Sequence, residues 1–165
     1  MEFKHQMIGS TLLFKYHDPV FNDIGVIQFK RNLAALLEKY PVKDIILDIE
    51  HVKIVDNTGL SAAMFARRYT KANGNNCIIA MPRPKVISLL KTARLTGSFH
   101  IIERKDEYQA YLKSLVENAE KERAEREAEK ARKAEEARKA EEIRKTKEAV
   151  KSEPDVAQKN ATEHT

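Results

Sequence analysis

The stretch VDNTGLS at residues 55–61 places an acid, an amide, two hydroxyls and a glycine between an apolar run and a helical pattern. Asp56, Asn57 and Thr58 are residue types that cap helix N-termini through their side-chain oxygens. A hydroxyl at this end of a helix is also a place where an added phosphate is tolerated, because free N–H groups and the helix dipole favour negative charge. The residues alone therefore leave two interpretations of Thr58 open: a helix cap and a phosphorylation site.

The other reactive side chains form no pattern typical of catalysis or metal binding. Three carboxylates cluster around the end of one predicted strand: Asp48, Glu50 and Asp56. Such a cluster can hold a divalent cation or do acid–base chemistry. Carboxylates at these positions more commonly serve in turns and helix caps. Cys77 lies in an apolar run with no neighbouring base, so we expect a buried, inert thiol. The five histidines lack metal-ligand spacing, and the five glycines form no phosphate-binding loop. We predict no catalytic residue, metal or cofactor.

Apolar runs that alternate with turn signals predict the elements that position these residues. We expect two strands joined at Gly9-Ser10, a turn at HDPVFND, and a helix from Ile24 to Tyr40. The run DIILDI is a strand of the kind that is covered on more than one side, CIIAM is another buried strand, and FHII is a last short strand. One helix follows VDNTGL, a second starts near Pro84 and ends at Gly97, and a third begins at DEYQ. This order predicts an α/β fold with a small mixed sheet of about five strands and packed helices.

Composition changes abruptly near Val116. Residues 117–165 contain one Ile, two Val and no aromatic residue, so they have almost nothing to bury. We predict a domain over residues 1–116, a long charged helix over 117–151 and a disordered tail over 152–165.

The charged segment repeats the hexad ARKAEE at 131–136 and again at 137–142. Ion pairs at i, i+4 support a helix, and we expect Glu129 to pair with Lys133, Glu135 with Lys139 and Glu141 with Lys145. Alanines recur every three residues, and because a helix turns about every 3.6 residues, the alanine positions move around the helix and form no continuous apolar seam. A solvated single helix is therefore favoured over a dimerising coiled coil.

Charge and hydropathy limit the classes of partner. The chain carries a formal charge of +5, and the basic excess belongs to residues 1–116, with 17 basic against 11 acidic side chains. This is a weak sign of an anionic partner, and the absence of an arginine-rich run interleaved with aromatics argues against direct nucleic-acid binding. No run has signal-peptide length or the ~20 apolar residues of a membrane span, so we expect a cytoplasmic protein without membrane insertion.

The stretches KDIILDIEHVKIVDNTGLSAAMFARRYTKANGNNCIIAM and VISLLKTARLTGSFHII together resemble the STAS domain, and within it the anti-sigma factor antagonists. The resemblance covers about residues 3–115. In that family a buried strand ending in Asp leads to a loop with Asp, a small polar residue, a phosphorylatable Ser or Thr, Gly and an apolar residue. Asp48 matches the strand-end acid, and residues 56–60 match the loop.

The resemblance implies a STAS-like fold and a protein-binding switch that is not an enzyme. The unphosphorylated form would bind an anti-sigma factor with a kinase-type ATP-binding fold, and phosphorylation of Thr58 by that partner would release it. The implied partner-binding residues around this phosphoacceptor are Asp56, Asn57, Gly59, Leu60 and Ser61, with Gly59 allowing the kinase to approach closely.

Two other functions remain open from the sequence. A single STAS domain also occurs as a cytoplasmic accessory subunit of a membrane lipid-transport ATPase, in which case Thr58 would be an unmodified structural contact. In a third interpretation the domain is an anchor and the charged tail recruits a partner, whose identity the sequence does not give.

Overall fold

The computed structural model of the protein describes residues 3–152. The chain divides into two compact units, with the boundary between Glu122 and Arg123. The strands of the described residues lie in the first unit and are β1 (Phe3–Ile8), β2 (Thr11–Tyr16), β3 (Val20–Phe21), β4 (Asp44–Asp48), β5 (Ile54–Val55), β6 (Cys77–Ala80) and β7 (His100–Ile102). The helices are α1 (Asp23–Lys39), α2 (Asn57–Ala72), α3 (Pro84–Thr92), a 3-10 turn (Thr96–Ser98) and α4 (Lys105–Lys151), which begins in the first unit and ends in the second.

The main sheet is mixed and has five strands, which confirms the predicted fold class. Its order is β1-β2-β4-β6-β7; β1 and β2 are antiparallel, and the other neighbouring pairs are parallel. Gly9 permits the tight β1–β2 connection, because its φ of +59° lies in the left-handed region. The strands from β2 onward are added in one direction, so right-handed crossovers place α1, α2 and α3 on the same face.

That face of the sheet carries the larger core. Side chains alternate along each strand, and in β4 and β6 Ile45, Leu47, Cys77 and Ile79 point toward the three crossover helices. The helices contribute residues at helical spacing to the same cluster: Val26, Phe29 and Leu33 from α1, Ala62 and Ala66 from α2, and Val86 and Leu90 from α3.

The opposite face is covered by the first turns of α4. Ile46, Ile78 and Ile102 of three neighbouring strands are almost fully buried there, and they cluster with Tyr108 at the start of the helix. Tyr111, Leu112 and Leu115 pack against the same cluster. The start of α4 therefore belongs to the folded domain and closes its second face.

The strand predicted over DIILDI is confirmed as β4, and the rest of the run KDIILDIEHVKIV contains a second strand, β5, which was not predicted separately. The side-chain Oδ1 of Asp48 accepts a hydrogen bond from the Glu50 N–H at 3.2 Å, and the Val52 N–H bonds to the Ile49 carbonyl at 3.0 Å, so the chain turns directly after β4. The chain then forms β5, which pairs in parallel with β3 in a separate two-stranded sheet. The segment HDPVFND, predicted as a turn, contains that partner strand β3. Two-residue strands are too short to show a period-2 pattern in the sequence.

The end of α3 also differs from the prediction. The helix starts at Pro84 as expected but ends at Thr92, five residues before Gly97. Arg94 adopts a φ of +56°, and the Leu95 and Arg94 N–H groups bond to the carbonyls of Leu90 and Lys91. This is the hydrogen-bond pattern of a Schellman motif, with an arginine in the position that usually holds glycine.

The second unit is the remainder of α4, whose side chains are mostly exposed. The three predicted ion pairs form: Glu129 with Lys133 at 3.3 Å, Glu135 with Lys139 at 2.8 Å and Glu141 with Lys145 at 3.9 Å. Solvent-exposed pairs of this kind stabilise a helix by about 0.2–0.5 kcal/mol each. The predicted disordered tail lies, from residue 153 onward, outside the described residues.

Candidate functional site

The segment of residues 54–61 links the small sheet to α2. Its helix begins at Asn57, and Asp56 is the N-cap, with its Oδ1 accepting a hydrogen bond from the Gly59 N–H at 2.7 Å. The carbonyl of Asp56 also accepts from the Leu60 N–H at 3.1 Å. Asp56 therefore fulfils the capping role that its residue type suggests, and this leaves Thr58 free of that role.

Thr58 lies in the first turn of α2 with an exposed side chain. Within residues 3–152 its hydroxyl makes no hydrogen bond, in contrast to Thr70 and Thr92, which donate to backbone carbonyls of their own helices. An exposed hydroxyl without an internal partner is chemically accessible, and its removal leaves no buried group unsatisfied.

The next two residues face inward. Leu60 is buried in the main core, and Gly59 is buried against the small sheet. A Cβ added at Gly59 would lie 2.7 Å from Cγ1 of Val55 and 2.9 Å from the carbonyl oxygen of Phe21. Packing within the chain therefore requires a glycine here, and the space above its Cα is occupied by the protein itself.

Ser61 lies one turn after Thr58 and is half-buried. Lys30 of α1 donates a hydrogen bond from its Nζ to the Ser61 Oγ at 3.2 Å. The same ammonium lies 5.9 Å from the ring centroid of Phe65, a distance at which the cation is attracted to the aromatic face. Lys30 was not predicted from the sequence, although its spacing of four from Val26 places it at the margin of the inward face of α1.

Four large apolar side chains are exposed on β3, β5 and the first turns of α1, and we call them the apolar patch: Val20, Ile24, Ile27 and Ile54. Val20 and Ile54 are partners in the register of β3 and β5, and Ile24 and Ile27 occupy the first turns of α1. Three of the four are more than half exposed, from 58 % for Ile54 to 61 % for Ile27. Exposed apolar clusters of this kind are typical of protein interaction surfaces.

Asp48 is built into a buried network rather than displayed at a site. Its Oδ2 accepts a hydrogen bond from the Tyr108 hydroxyl at 3.1 Å and lies 3.5 Å from the Lys15 ammonium. Glu50 lies 3.9 Å from both Lys15 and Lys105. Burial, followed by the Asp48 carboxylate, raises the pKa of Tyr108 far above its ordinary value. Asp48 and Glu50 therefore join the ends of β2 and β4 to the start of α4.

The thiol of Cys77 is buried in β6, as predicted. Burial raises its pKa from 9.0 to about 12, against a smaller opposing effect of Arg67, so it stays protonated near neutral pH. Among residues 3–152 no group of three or more His, Cys, Asp or Glu side chains could hold a metal ion. His17 and His51 are in ring contact at 5.4 Å, without a third ligand of this kind.

The charge around α2 and α3 has one sign. From Asn57 to Ile102 the sequence contains no Asp or Glu, whereas it contains seven Lys and Arg residues. Six of these have exposed side chains, and they are Arg68, Lys71, Arg83, Lys85, Lys91 and Arg94. Arg67, the seventh, instead donates to the Ser98 carbonyl and lies over the Phe99 ring. The half of the domain that follows Thr58 is therefore electropositive.

Comparison with known families agrees with this geometry. The family model of the STAS domain matches residues 10–108. This range includes the segment around Thr58, and it includes every strand of the main sheet except β1. The chain belongs to the STAS domain family. A comparison with curated protein sequences found no match.

Several solved structures share the fold at low sequence identity. SpoIIAA, an anti-sigma factor antagonist, matches in its unphosphorylated form with 15 % identity and a TM-score of 0.54, over 66 % of this chain and 94 % of that one. Bacillus SpoIIAA in its phosphorylated form matches with 16 % identity and the same TM-score, over 67 % of this chain and 99 % of that one.

Two further structures show the range of proteins that contain this fold. A variant of RsbS from Moorella thermoacetica matches with 18 % identity and a TM-score of 0.57, over 71 % of this chain and 99 % of that one. The murine anion transporter Slc26a9 matches with 15 % identity and a TM-score of 0.52, over 66 % of this chain but 18 % of that one. In the part of this chain that the structure describes, no helix is long and apolar enough to span a membrane.

Proposed function

We propose that this STAS protein is an anti-sigma factor antagonist that works as a phosphorylation-controlled binding switch. The observation that carries the proposal is the exposed Thr58 hydroxyl, which has no partner within residues 3–152 and lies in the first turn of α2. Asp56 performs the capping, and Gly59 and Leu60 anchor the segment to the core. A rigid support with one free hydroxyl suits a modification site.

In this proposal the partner is an anti-sigma factor with a kinase-type ATP-binding fold. The Thr58 oxygen attacks the γ-phosphorus of ATP held by the partner, and the bond from that phosphorus to the bridging oxygen breaks. ADP leaves, and the hydroxyl proton passes to a base on the partner. The STAS protein supplies only the acceptor hydroxyl, so it acts as substrate and binding module without a cofactor or metal of its own.

The apolar patch gives the unphosphorylated form a surface that a partner can cover. Phosphorylation adds about −1.5 to −2 charges beside the carboxylate of Asp56 and near these apolar side chains. When the partner's surface supplies no matching cation, burial of a dianion in the interface costs several kcal/mol, and about 1.4 kcal/mol corresponds to a tenfold change in affinity. Phosphorylation therefore releases the partner.

The experiment uses purified anti-sigma factors of the same genome that have the kinase-type fold. Wild-type protein should bind one of them and be phosphorylated on Thr58 when ATP is added. Thr58→Ala should bind without being phosphorylated, whereas Thr58→Asp should fold normally and bind at least tenfold more weakly, since its carboxylate mimics part of the added charge. Thr146→Asp, at an exposed position of α4, is the matched control for an added carboxylate and should bind like wild type.

The accessory-subunit function is the second candidate, and it is kept because a part of the anion transporter Slc26a9 shares this fold. In that function Thr58 would contact a transport protein without being modified. Equal binding by wild type and Thr58→Asp, together with no phosphate on Thr58 after incubation with ATP and every such anti-sigma factor, would contradict the switch and support this alternative.

A further inference from the structure

Lys30 is a cation held in place at the start of α2. It lies in α1, 31 positions before Ser61, and its side chain is half-buried between the two helices. Its ammonium donates to the Ser61 hydroxyl at 3.2 Å and lies 5.9 Å from the Phe65 ring centroid. Both contacts come from α2, so they place the ammonium beside that helix.

Both contacts of this ammonium are with neutral groups. Within residues 3–152 no salt bridge to Lys30 is formed, whereas Lys15 and Lys105 each lie within 4 Å of a carboxylate. A hydroxyl and an aromatic ring compensate only part of the hydration that a half-buried ammonium loses. An anion that reached the same place would be bound more strongly than either neutral partner.

Thr58 can bring an anion to this place. Thr58 and Ser61 are three positions apart in α2, and side chains with this spacing lie on the same side of a helix with Cβ atoms about 5–6 Å apart. A phosphate on the Thr58 oxygen extends farther from the helix than the hydroxyl of Ser61. The four-carbon stem of Lys30 allows its ammonium to turn from the serine toward the phosphate.

We propose that Lys30 binds the phosphate of phosphorylated Thr58, with Ser61 holding the ammonium in position while Thr58 is unmodified. This inference rests on the proposed function, because it concerns the phosphorylated state of the same residue. The ammonium exchanges the Ser61 oxygen for a phosphate oxygen, so α1 and α2 need not move apart. Lys30 is thus a positioning residue that keeps the phosphate against the domain.

The test installs phosphothreonine at residue 58 during synthesis of the full chain, so that no kinase is needed. Titration of the phosphate by phosphorus NMR then gives its second pKa, which a nearby cation lowers. We expect this pKa to be lower in wild type than in Lys30→Gln, by on the order of half a unit to one unit. Arg31→Gln, which removes an exposed cation from the neighbouring position of α1, should leave the pKa as in wild type.

Lys30→Arg keeps the charge and should retain the lowered pKa. Thermal unfolding of each unphosphorylated variant confirms that it is folded before the titration, and Lys30→Met, which keeps an apolar stem, replaces Lys30→Gln should the latter unfold. Equal phosphate pKa values in wild type and in the folded variant without Lys30 would overturn the inference. This result is independent of the proposed function, which fails separately if no anti-sigma factor phosphorylates Thr58.

Discussion

The Tyr108 hydroxyl donates a hydrogen bond to the Asp48 carboxylate at 3.1 Å, across a sequence separation of 60 residues. Asp48 is 2 % exposed at the end of β4, and Tyr108 is 6 % exposed in the first turn of α4. A buried acceptor that loses its donor keeps the cost of desolvation, so such contacts matter more to stability than exposed ion pairs. The contact fastens α4 to the sheet beside the segment that leads to Thr58.

Tyr108→Phe should therefore destabilise the domain. It removes one donor to Asp48 and keeps the ring in the core, and we expect the free energy of unfolding to fall by about 1–3 kcal/mol. Chemical denaturation of the full chain measures this change. Tyr111→Phe is the matched control, because within the described residues the Tyr111 hydroxyl makes no hydrogen bond to another group, and it should change stability by less than about 0.5 kcal/mol. Equal effects would show that the hydrogen bond is not important.

Stability should decline at alkaline pH. Burial, with a smaller effect of Asp18, raises the pKa of Tyr16 from 10.0 to about 12, and burial raises that of Cys77 from 9.0 to about 12. The folded protein keeps protons that the unfolded chain has lost at the same pH, so the free energy of unfolding falls as pH rises. The stabilisation that comes from the protonated Tyr16 and Cys77 side chains is fully present below pH 9 and is lost as pH rises through about 12.

Thermal unfolding measured from pH 7 to pH 11 checks this dependence, and the tyrosinate absorbance of the folded protein is titrated separately from pH 7 to about pH 12. The tyrosinate signal of the folded protein should contain a fraction that appears only above pH 11. A melting temperature that stays constant to pH 11, or ionisation of every tyrosine with a midpoint near 10, would contradict it.

Gly59→Ala should destabilise the domain without touching the Thr58 hydroxyl. The added Cβ would lie within 3.0 Å of a backbone carbonyl and of a Val55 methyl, and overpacking of this kind costs about 1–3 kcal/mol. Alanine is favoured over glycine inside helices by up to about 1 kcal/mol, which offsets only part of the clash. Gly97→Ala is the control, because nothing lies within 4 Å of its added Cβ, and its melting temperature should match wild type.

The exposed part of α4 should contribute little to the stability of the domain. A chain ending after Glu122 keeps the packed side chains of α4, and we expect its melting temperature to lie within about 2 °C of the full chain. A chain ending after Val116, the boundary predicted from composition, loses Ala119. That residue packs close to Gly9, since a Cβ atom built on Gly9 would lie 3.1 Å from the Ala119 Cβ. We expect a slightly larger decrease for that chain.

A chain ending after Arg104 is the contrasting case. It lacks Tyr108, Leu112 and Leu115, so the second face of the sheet would be exposed and the chain should not fold cooperatively. Should the chain ending after Glu122 also unfold many degrees earlier than the full chain, residues 123–165 would have a stabilising role that their composition does not suggest.

The sequence determined the features that depend on interactions within a turn or two of the chain. The Asp56 cap bonds to a residue three positions away, Gly9 supplies a left-handed turn, and Pro84 starts a helix through its own φ. Short apolar runs between turn signals also predicted the five strands of the main sheet, and helical periodicity predicted the helices that pack on it. The STAS resemblance rested on the loop around Thr58 together with the stretch LTGSFHII farther along the chain.

Only the tertiary structure decided which distant residues meet. Lys30 reaches Ser61 because right-handed crossovers place α1 beside α2, and Tyr108 reaches Asp48 because α4 packs on the opposite face of the sheet. The strands β3 and β5 are stabilised by each other and by Gly59, so neither carries a local signal. Contacts across 31 or 60 residues leave no periodic trace in the sequence, because they exist only after the sheet has brought its crossover helices and α4 together.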